Sequence, residues 1–353
     1  MLRLGVVGFG YWGPNVVRNF AMLPDCRVTT ICDGDAAARA RAAAHYPATR
    51  IVADAKEVVA APDIDAVAIV TPVSSHYALA RQALENDKHI FVEKPFTATS
   101  QQAEDLIELA DRNNLIVMVD HTFLFTGAVR KMKALIDQGA LGRLYYYDST
   151  RVNLGLFQHD VNVVWDLAPH DLSIMDHLIG LEAERVVATG QAHLNGLEDI
   201  AYITLYFPNR VTAHINVNWL SPVKVRTTLL GGEKKMLVWN DLEPTEKVKL
   251  YDKGVDLATK EGIYNLLVNY RSGDMWAPRV DQTEALQREA RYFIDCLTSG
   301  QQPFNDGRAG LRVVRTLEAI QKSLRRGGEP VFMGSSLQGA LGAAVSDVLA
   351  PLD

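Results

Sequence analysis

Six residues near the start, Gly8-Phe9-Gly10-Tyr11-Trp12-Gly13, restrict the fold of this chain more than any other feature. They follow the β-rich run Leu2–Val7 directly and open a helical stretch over 16–23. A strand that turns at once into a helix has three places where a side chain is unwelcome. These are the tight turn, the point where backbone approaches a bound diphosphate, and the close crossing of helix on strand. Glycine at all three, with a helix N-terminus behind them, makes a site for a dinucleotide diphosphate on free amides.

The rest of the first third agrees. Strand-like runs at 27–32, 66–70, 89–92 and 116–119 alternate with helical stretches at 35–45, 76–86 and 101–113. Asp54 and Glu57 make a capping-box pair ahead of Val58 and Val59. Strands separated by helices of this length form βαβ units, and the nearly unbroken apolar runs AVAIV and LIVMV suit strands buried on both faces. A parallel sheet over residues 1–121 is expected. Beyond it the pattern changes. A helix at 127–138 and a Tyr145-Tyr146-Tyr147 strand precede a helix at 165–178. Strand-like runs at 185–192, 200–207, 210–217, 223–230 and 235–239 then follow with short turns between them. Such a series folds as an open, mainly antiparallel sheet, which gives an α+β second domain over 122–333, with late helices at 282–298 and 307–325 and a tail at 334–353. The fold class is α/β.

Charge and cysteine content narrow the function. The 353 residues carry 36 Lys and Arg against 42 Asp and Glu, a net charge of −6, which offers nucleic acid or an anionic membrane no general attraction. Three scattered cysteines, Cys26, Cys32 and Cys296, make neither a disulfide framework nor a thiolate metal site, so a cytoplasmic protein without a metal is expected. No apolar run reaches the roughly 20 residues of a membrane-spanning helix.

Asp33 ends the second strand about 20 residues after the last glycine, where a carboxylate accepts both ribose hydroxyls and repels a 2′-phosphate. That favours NAD over NADP. Thr71, Pro72 and His76 follow the fourth strand, and Glu93-Lys94-Pro95 closes the fifth. All therefore belong to the sheet edge where such folds bind ligands. Lys94 at that edge is placed to take a proton from a substrate hydroxyl while hydride leaves the carbon.

The segment GFGYWGPNVVRNF (8–20), the triplet Glu93-Lys94-Pro95 and the run Trp165-Asp166-Leu167-Ala168-Pro169-His170-Asp171 together resemble the Gfo/Idh/MocA oxidoreductase family, over residues 1–330. The resemblance implies a Rossmann NAD-binding domain, a C-terminal domain whose open sheet supports dimers or tetramers, and NAD(P)-dependent chemistry on sugars, inositols and related polyols. It gives Lys94 the role of the family's catalytic lysine, and Asp166 and His170 its Asp-x-x-x-His pair. Those two lie four residues apart on one helix face; Pro169 between them suits a helix that begins near Asp166, which would make Asp166 a capping carboxylate. GYWGPN, HTFLF (121–125) and 152–173 look most like the branch acting on nucleotide-activated amino sugars, the UDP-N-acetylglucosaminuronate 3-dehydrogenases. On that reading Arg151, Asn153 and His159 face the substrate's phosphates or hydroxyls, Trp12 lies by the nicotinamide, and His177 is structural. Two alternatives stay open: a dehydrogenase of free inositol or aldose, and a glycoside hydrolase that uses NAD without net redox.

Overall fold

The computed structural model describes residues 1–155, 157–180, 182–257 and 268–334. All of the expected tail except residue 334 lies outside these. The first sheet has six parallel strands: β1 (Leu2–Val7), β2 (Cys26–Cys32), β3 (Arg50–Val52), β4 (Ala66–Ile69), β5 (His89–Glu93) and β6 (Val117–Asp120). They are arranged β3-β2-β1-β4-β5-β6. The order reverses between β1 and β4, and the C-terminal ends of those two strands open a crevice there. Five helices cover the faces: α1 (Gly13–Ala21), α2 (Ala36–His45), α3 (Lys56–Val59), α4 (Val73–Glu85) and α5 (Ser100–Arg112). The β4 residues are wholly buried, as the AVAIV run requires. Asp54 accepts from Lys56 N at 2.9 Å, but Ala55 is the N-cap of α3 and no side chain caps it, so the expected capping box is not made; Glu57 instead pairs with Arg50.

A short 3-10 turn at Thr122–Phe125 and α6 (Gly127–Asp137) lead to the second sheet. Its nine strands include β7 (Leu144–Leu154), β8 (Arg185–Gln191), β9 (Ile200–Tyr206), β10 (Thr212–Asn218), β11 (Leu220–Gly232) and β12 (Met236–Asn240). The other three are β13 (Val248–Leu257), β14 (Val268–Trp276) and β15 (Val331–Phe332), in the order β14-β13-β12-β11-β7-β10-β9-β8-β15. Pairing is antiparallel except between β7 and β10, whose connection passes through α7 (Val163–Ile179) and a hairpin. The sheet is thus mixed and mostly antiparallel.

Burial alternates along β9 and β10, with Ala201, Ile203, Leu205, Ala213, Ile215 and Val217 turned inward onto α7. The last two helices, α8 (Ala285–Ser299) and α9 (Gly307–Arg325), return to the first sheet. Phe293 of α8 meets Phe20 and Phe91 edge-on at 6.0 and 5.6 Å. Exposed pairs Arg18–Glu284, Arg291–Asp25, Arg308–Asp111 and Arg315–Glu104 line the same seam. Each such pair is worth little alone; the buried aromatic contact fastens α8 to the first sheet.

Candidate active site

At the nucleotide end of the crevice, Gly8 has φ +105°, and a Cβ there would lie 2.2 Å from Val70 O. A Cβ on Gly13 would lie 2.4 Å from Gly8 O, whereas one on Gly10 would meet nothing within 4 Å. Gly8 and Gly13 are glycine for the chain's own turn and crossing, and Gly10 keeps room for a group from outside. No side chain caps α1 at Trp12, and its first turn holds no acid, so its free amides suit an anion. The Asp33 carboxylate accepts from Phe9 N at 2.6 Å and Asp35 N at 2.8 Å, and each oxygen retains a lone pair for a ribose hydroxyl. Arg39 is tied to the carbonyls of Asp33 and Gly34, at 2.9 and 2.8 Å. The residues present fit a dinucleotide. Phe9 is buried beneath the loop, while Tyr11 is 86% exposed beside it.

Thr71 and Pro72 stand at the expected edge, Pro72 exposed and Thr71 holding Ser75 through a 2.7 Å hydroxyl contact. His76 does not reach the crevice. It is 1% exposed, with Nδ1 3.0 Å from Pro95 O and Nε2 2.7 Å from Thr71 O, so it clamps the loop after β4 to the one after β5. Its assignment as a cofactor ligand is corrected to that of a clamp.

At the reaction end, Lys94 Nζ donates to Asp166 O at 3.0 Å and lies 3.7 Å from Asp166 Oδ1. Asp166 Oδ2 accepts from the indole of Trp219 at 3.1 Å, and Trp219 is 1% exposed, so the carboxylate is fixed from behind. The helix does not begin at Asp166, however. Asn162 is the N-cap, accepting from Trp165 N at 3.1 Å, and Pro169 sits in the helix interior. Proline there cannot donate to Trp165 O and pushes that turn open. The next carbonyl along, Asp166 O, is the one that Lys94 uses. The proline is part of the site, and Asp166 is not a cap.

His170, one turn on, is enclosed with Nδ1 unpartnered, its ring 4.9 Å edge-on from Phe123. Burial first, then the charges of Lys94, Arg151, Arg226 and His121, hold its pKa well below the ordinary 6.5. It is therefore a neutral imidazole at neutral pH. Arg151 and Arg226 place their guanidinium groups 4.5 and 5.5 Å from the Phe123 ring. The two arginines differ in exposure: Arg226 is part-exposed and pairs with Asp241 at 3.3 Å. Arg151 is buried, bonding Asp171 at 2.6 Å behind His170, so it does not face a ligand's phosphates as expected; in its place Arg226, on β11, lines the cleft. Asn153 stands at the end of β7 against Gly155, outside the cleft lining, and His159 is exposed while its neighbour Gln158 lines the cleft.

The cleft has a volume of about 480 Å³, and Trp12, Lys94, Asp120, Asp166, His170 and Arg226 converge on it. Two other hollows, of about 610 and 650 Å³, are larger; chemistry rather than size selects this one. Sequence reasoning did not find Asp120, which accepts from the Trp12 indole at 2.9 Å and from the Thr122 hydroxyl. Beside it lie Glu93 and Glu289, both pushed well above the ordinary carboxylate range by burial and then by Asp120. Among the described residues no cluster of three or more His, Cys, Asp or Glu is placed to hold a metal, and no helix is long and apolar enough to cross a membrane.

Residues 2–121 match the oxidoreductase family with an NAD-binding Rossmann fold, and residues 129–238 match the GFO/IDH/MocA C-terminal domain. The UDP-N-acetylglucosamine 3-dehydrogenase of Acidithiobacillus ferrooxidans is 26% identical over 89% of this chain and 94% of its own length. Two solved structures share the fold. The WlbA dehydrogenase of Bordetella pertussis, in complex with NADH and UDP-GlcNAcA, superposes with a TM-score of 0.76 at 20% identity, covering 94% of this chain and 99% of its own. A levoglucosan dehydrogenase in complex with NADH gives 0.80 at 18% identity, with 94% and 99% covered.

Proposed function

The chain belongs to the Gfo/Idh/MocA oxidoreductase family and is an NAD-binding oxidoreductase; from there we propose that it oxidises a secondary hydroxyl of a nucleotide-activated amino sugar or uronic acid to the ketone. The observation that carries this reading is the joint placement of Lys94, Asp166 and His170 on one cleft at the switch point of the parallel sheet, with Arg226 on its wall. NAD, when bound, supplies the hydride acceptor, and the Gly8–Gly13 loop, Asp33, Thr71, Pro72, Glu93 and Lys94 would hold it.

The chain's own groups divide the remaining work. His170 is neutral and enclosed, so it receives the hydroxyl proton. Lys94, anchored on Asp166, donates to the same substrate oxygen and fixes it. Asp166, held by Trp219, sets where the ammonium points. Phe123 packs against His170, and together they exclude water from that side. Arg226 offers a cation to a substrate that carries its own negative charge, which a free polyol lacks. The likeness to a UDP-N-acetylglucosamine 3-dehydrogenase over nearly the whole chain supports the same substrate class.

A single-turnover assay tests the reading. Enzyme stoichiometric to NAD is mixed with UDP-linked amino sugars and uronic acids, or with free inositols and hexoses, and reduced nicotinamide is followed. Reduction by UDP-linked sugars alone is the expected result. Reduction by free polyols alone overturns the substrate class, and sugar release without reduced nicotinamide overturns the net oxidation.

A further inference from the structure

One stripe of α7 carries Asp166, His170, Ser173 and His177, each three or four residues from the next and so on one side of the helix. The first two line the reaction cleft. The last two line a separate cavity of about 180 Å³ farther along, closed by Phe304 and by Arg312 of α9, whose guanidinium pairs with Asp176 at 2.7 Å. At the bulk volume of water this space holds about six molecules. His121 lies between the two spaces. It lines the rear cavity, while its neighbour Asp120 lines the reaction cleft.

His121 is 2% exposed and both its ring nitrogens lack any protein partner. A buried imidazole in that condition is met by water, and the cavity it lines is where water fits. The other well-buried histidine, His76, has both nitrogens on carbonyl oxygens. Nothing in the proton handling at Lys94 and His170 uses His121, yet it stands one residue from a carboxylate of the cleft.

We propose that His121 and the rear cavity form a proton exit, separate from the path by which sugar and NAD enter. The inference rests on the dehydrogenase reading above. Oxidation of a carbinol by NAD yields ketone, NADH and one proton, and that proton starts on His170. From there it passes through water and Asp120 to one nitrogen of His121, which has no direct protein partner, off the other nitrogen to cavity water, and out past His177 and Arg312. No other oxidant or base is required. The groups facing His121 suit transient rather than lasting protonation. Asp120 favours its charged form, whereas burial and Lys94 oppose it and hold its pKa at about 4. Arg312 adds positive charge nearby, which Asp176 offsets, while His170 and His177, both held below the ordinary histidine pKa first by burial, are neutral until a proton reaches them.

Two variants test the route in the full-length protein with NAD and the sugar that wild type oxidises. His121→Phe removes the carrier, and Ala309→Leu fills the cavity from α9 while leaving His121 in place. Each should slow steady-state turnover by about tenfold or more, enlarge the solvent deuterium isotope effect, and leave the first-turnover reduction of nicotinamide within about twofold of wild type. Imidazole should restore turnover in His121→Ala. Folded His121→Phe and Ala309→Leu proteins with wild-type turnover and isotope effect would overturn the proposal. A second readout is independent of activity. Deuterium exchange at the imidazole C2 position, read by peptide mass spectrometry, should be faster at His121 than at His76 and slowed in Ala309→Leu. Equal exchange at the two histidines overturns the route even where no sugar is oxidised, whereas a wild type silent on every sugar but with fast His121 exchange counts against the dehydrogenase reading alone.

Discussion

Each site residue is defined by what binds it from behind. Lys94 has its ammonium on the Asp166 carbonyl, so Lys94→Met removes the donor while the glycine loop and Asp33 stay intact. Turnover should fall by about 10²–10⁴-fold, the usual worth of positioned proton handling. NAD affinity, read by quenching of protein fluorescence, should fall far less than turnover; near wild-type turnover would remove Lys94 from the mechanism. His170 gives a pH prediction with a definite sign. Its pKa is depressed, so the neutral form that accepts a proton persists as pH falls below 6.5 and is lost only at a lower value. The acid limb of kcat/KM should therefore lie below pH 6.5. Arg226 is among the charges that depress it, so Arg226→Met should move that limb upward toward the ordinary histidine value. A limb that stays in place would show that Arg226 does not contribute to the depression. Asp33 gives the third test. With one oxygen holding Phe9 N of the glycine loop and the other Asp35 N, Asp33→Ser should weaken NAD binding and narrow the preference for NAD over NADP by about tenfold, one lost charge contact. Cofactor titrations with the two dinucleotides would reveal an unchanged preference.

At the scale of elements, the glycine loop shows two different reasons for one residue type. Gly13→Ala drives a methyl into Gly8 O, so it should cost stability and lower the melting temperature by several degrees. Gly10→Ala meets no protein atom, so the fold should hold while NAD affinity drops, because the space it occupies is the one left for the diphosphate. Thermal unfolding with and without NAD separates the two; equal melting temperatures for both variants would refute the distinction. This loop was legible because its demands are local, three positions within six residues. The same holds for the βαβ alternation and for the register of Asp166 with His170. Other features depend on partners far along the chain. Pro169 reads as a first-turn residue by local rules, yet Asn162 starts the helix four residues earlier than Asp166 and places the proline inside it. Arg151 reads as a free cation because nothing local announces that Asp171 will bury it. Asp120, Glu289 and Arg226 have no motif around them and reach the site only through the fold. The parallel pairing of β7 with β10 was likewise invisible, since adjacent strands with short turns suggest antiparallel neighbours throughout. Strands β13 and β14 had no clear alternation to mark them.

Among the described residues, the second sheet has a face that no other element covers. The second sheet turns its inner side chains onto α7, and the opposite side of β7, β9 and β10 presents Tyr146, Tyr202, Thr204, Tyr206 and His214. Tyr202 is 46% exposed and stacks on His214, with the ring centres 6.5 Å apart. Tyr146 is 36% exposed and lies across Gly231, where any Cβ would strike its ring. An open sheet face rich in tyrosine is amphipathic, flat and rigid, which suits association with low loss of side-chain freedom. We propose that a second copy of this chain covers it. A face-to-face pairing leaves both clefts open, because α7, which carries Asp166 and His170, packs on the other side of the second sheet. Association should therefore stabilise the protein without entering the chemistry. Tyr202→Glu places a charge at the centre of the face, where pairing two copies would bring two like charges together at a cost of several kcal/mol. In sedimentation velocity the wild type should run as a dimer or larger, and the variant as a monomer that still binds NAD. A wild type that sediments as a monomer at every concentration would leave the tyrosine face to solvent, and the proposed dimer would be wrong.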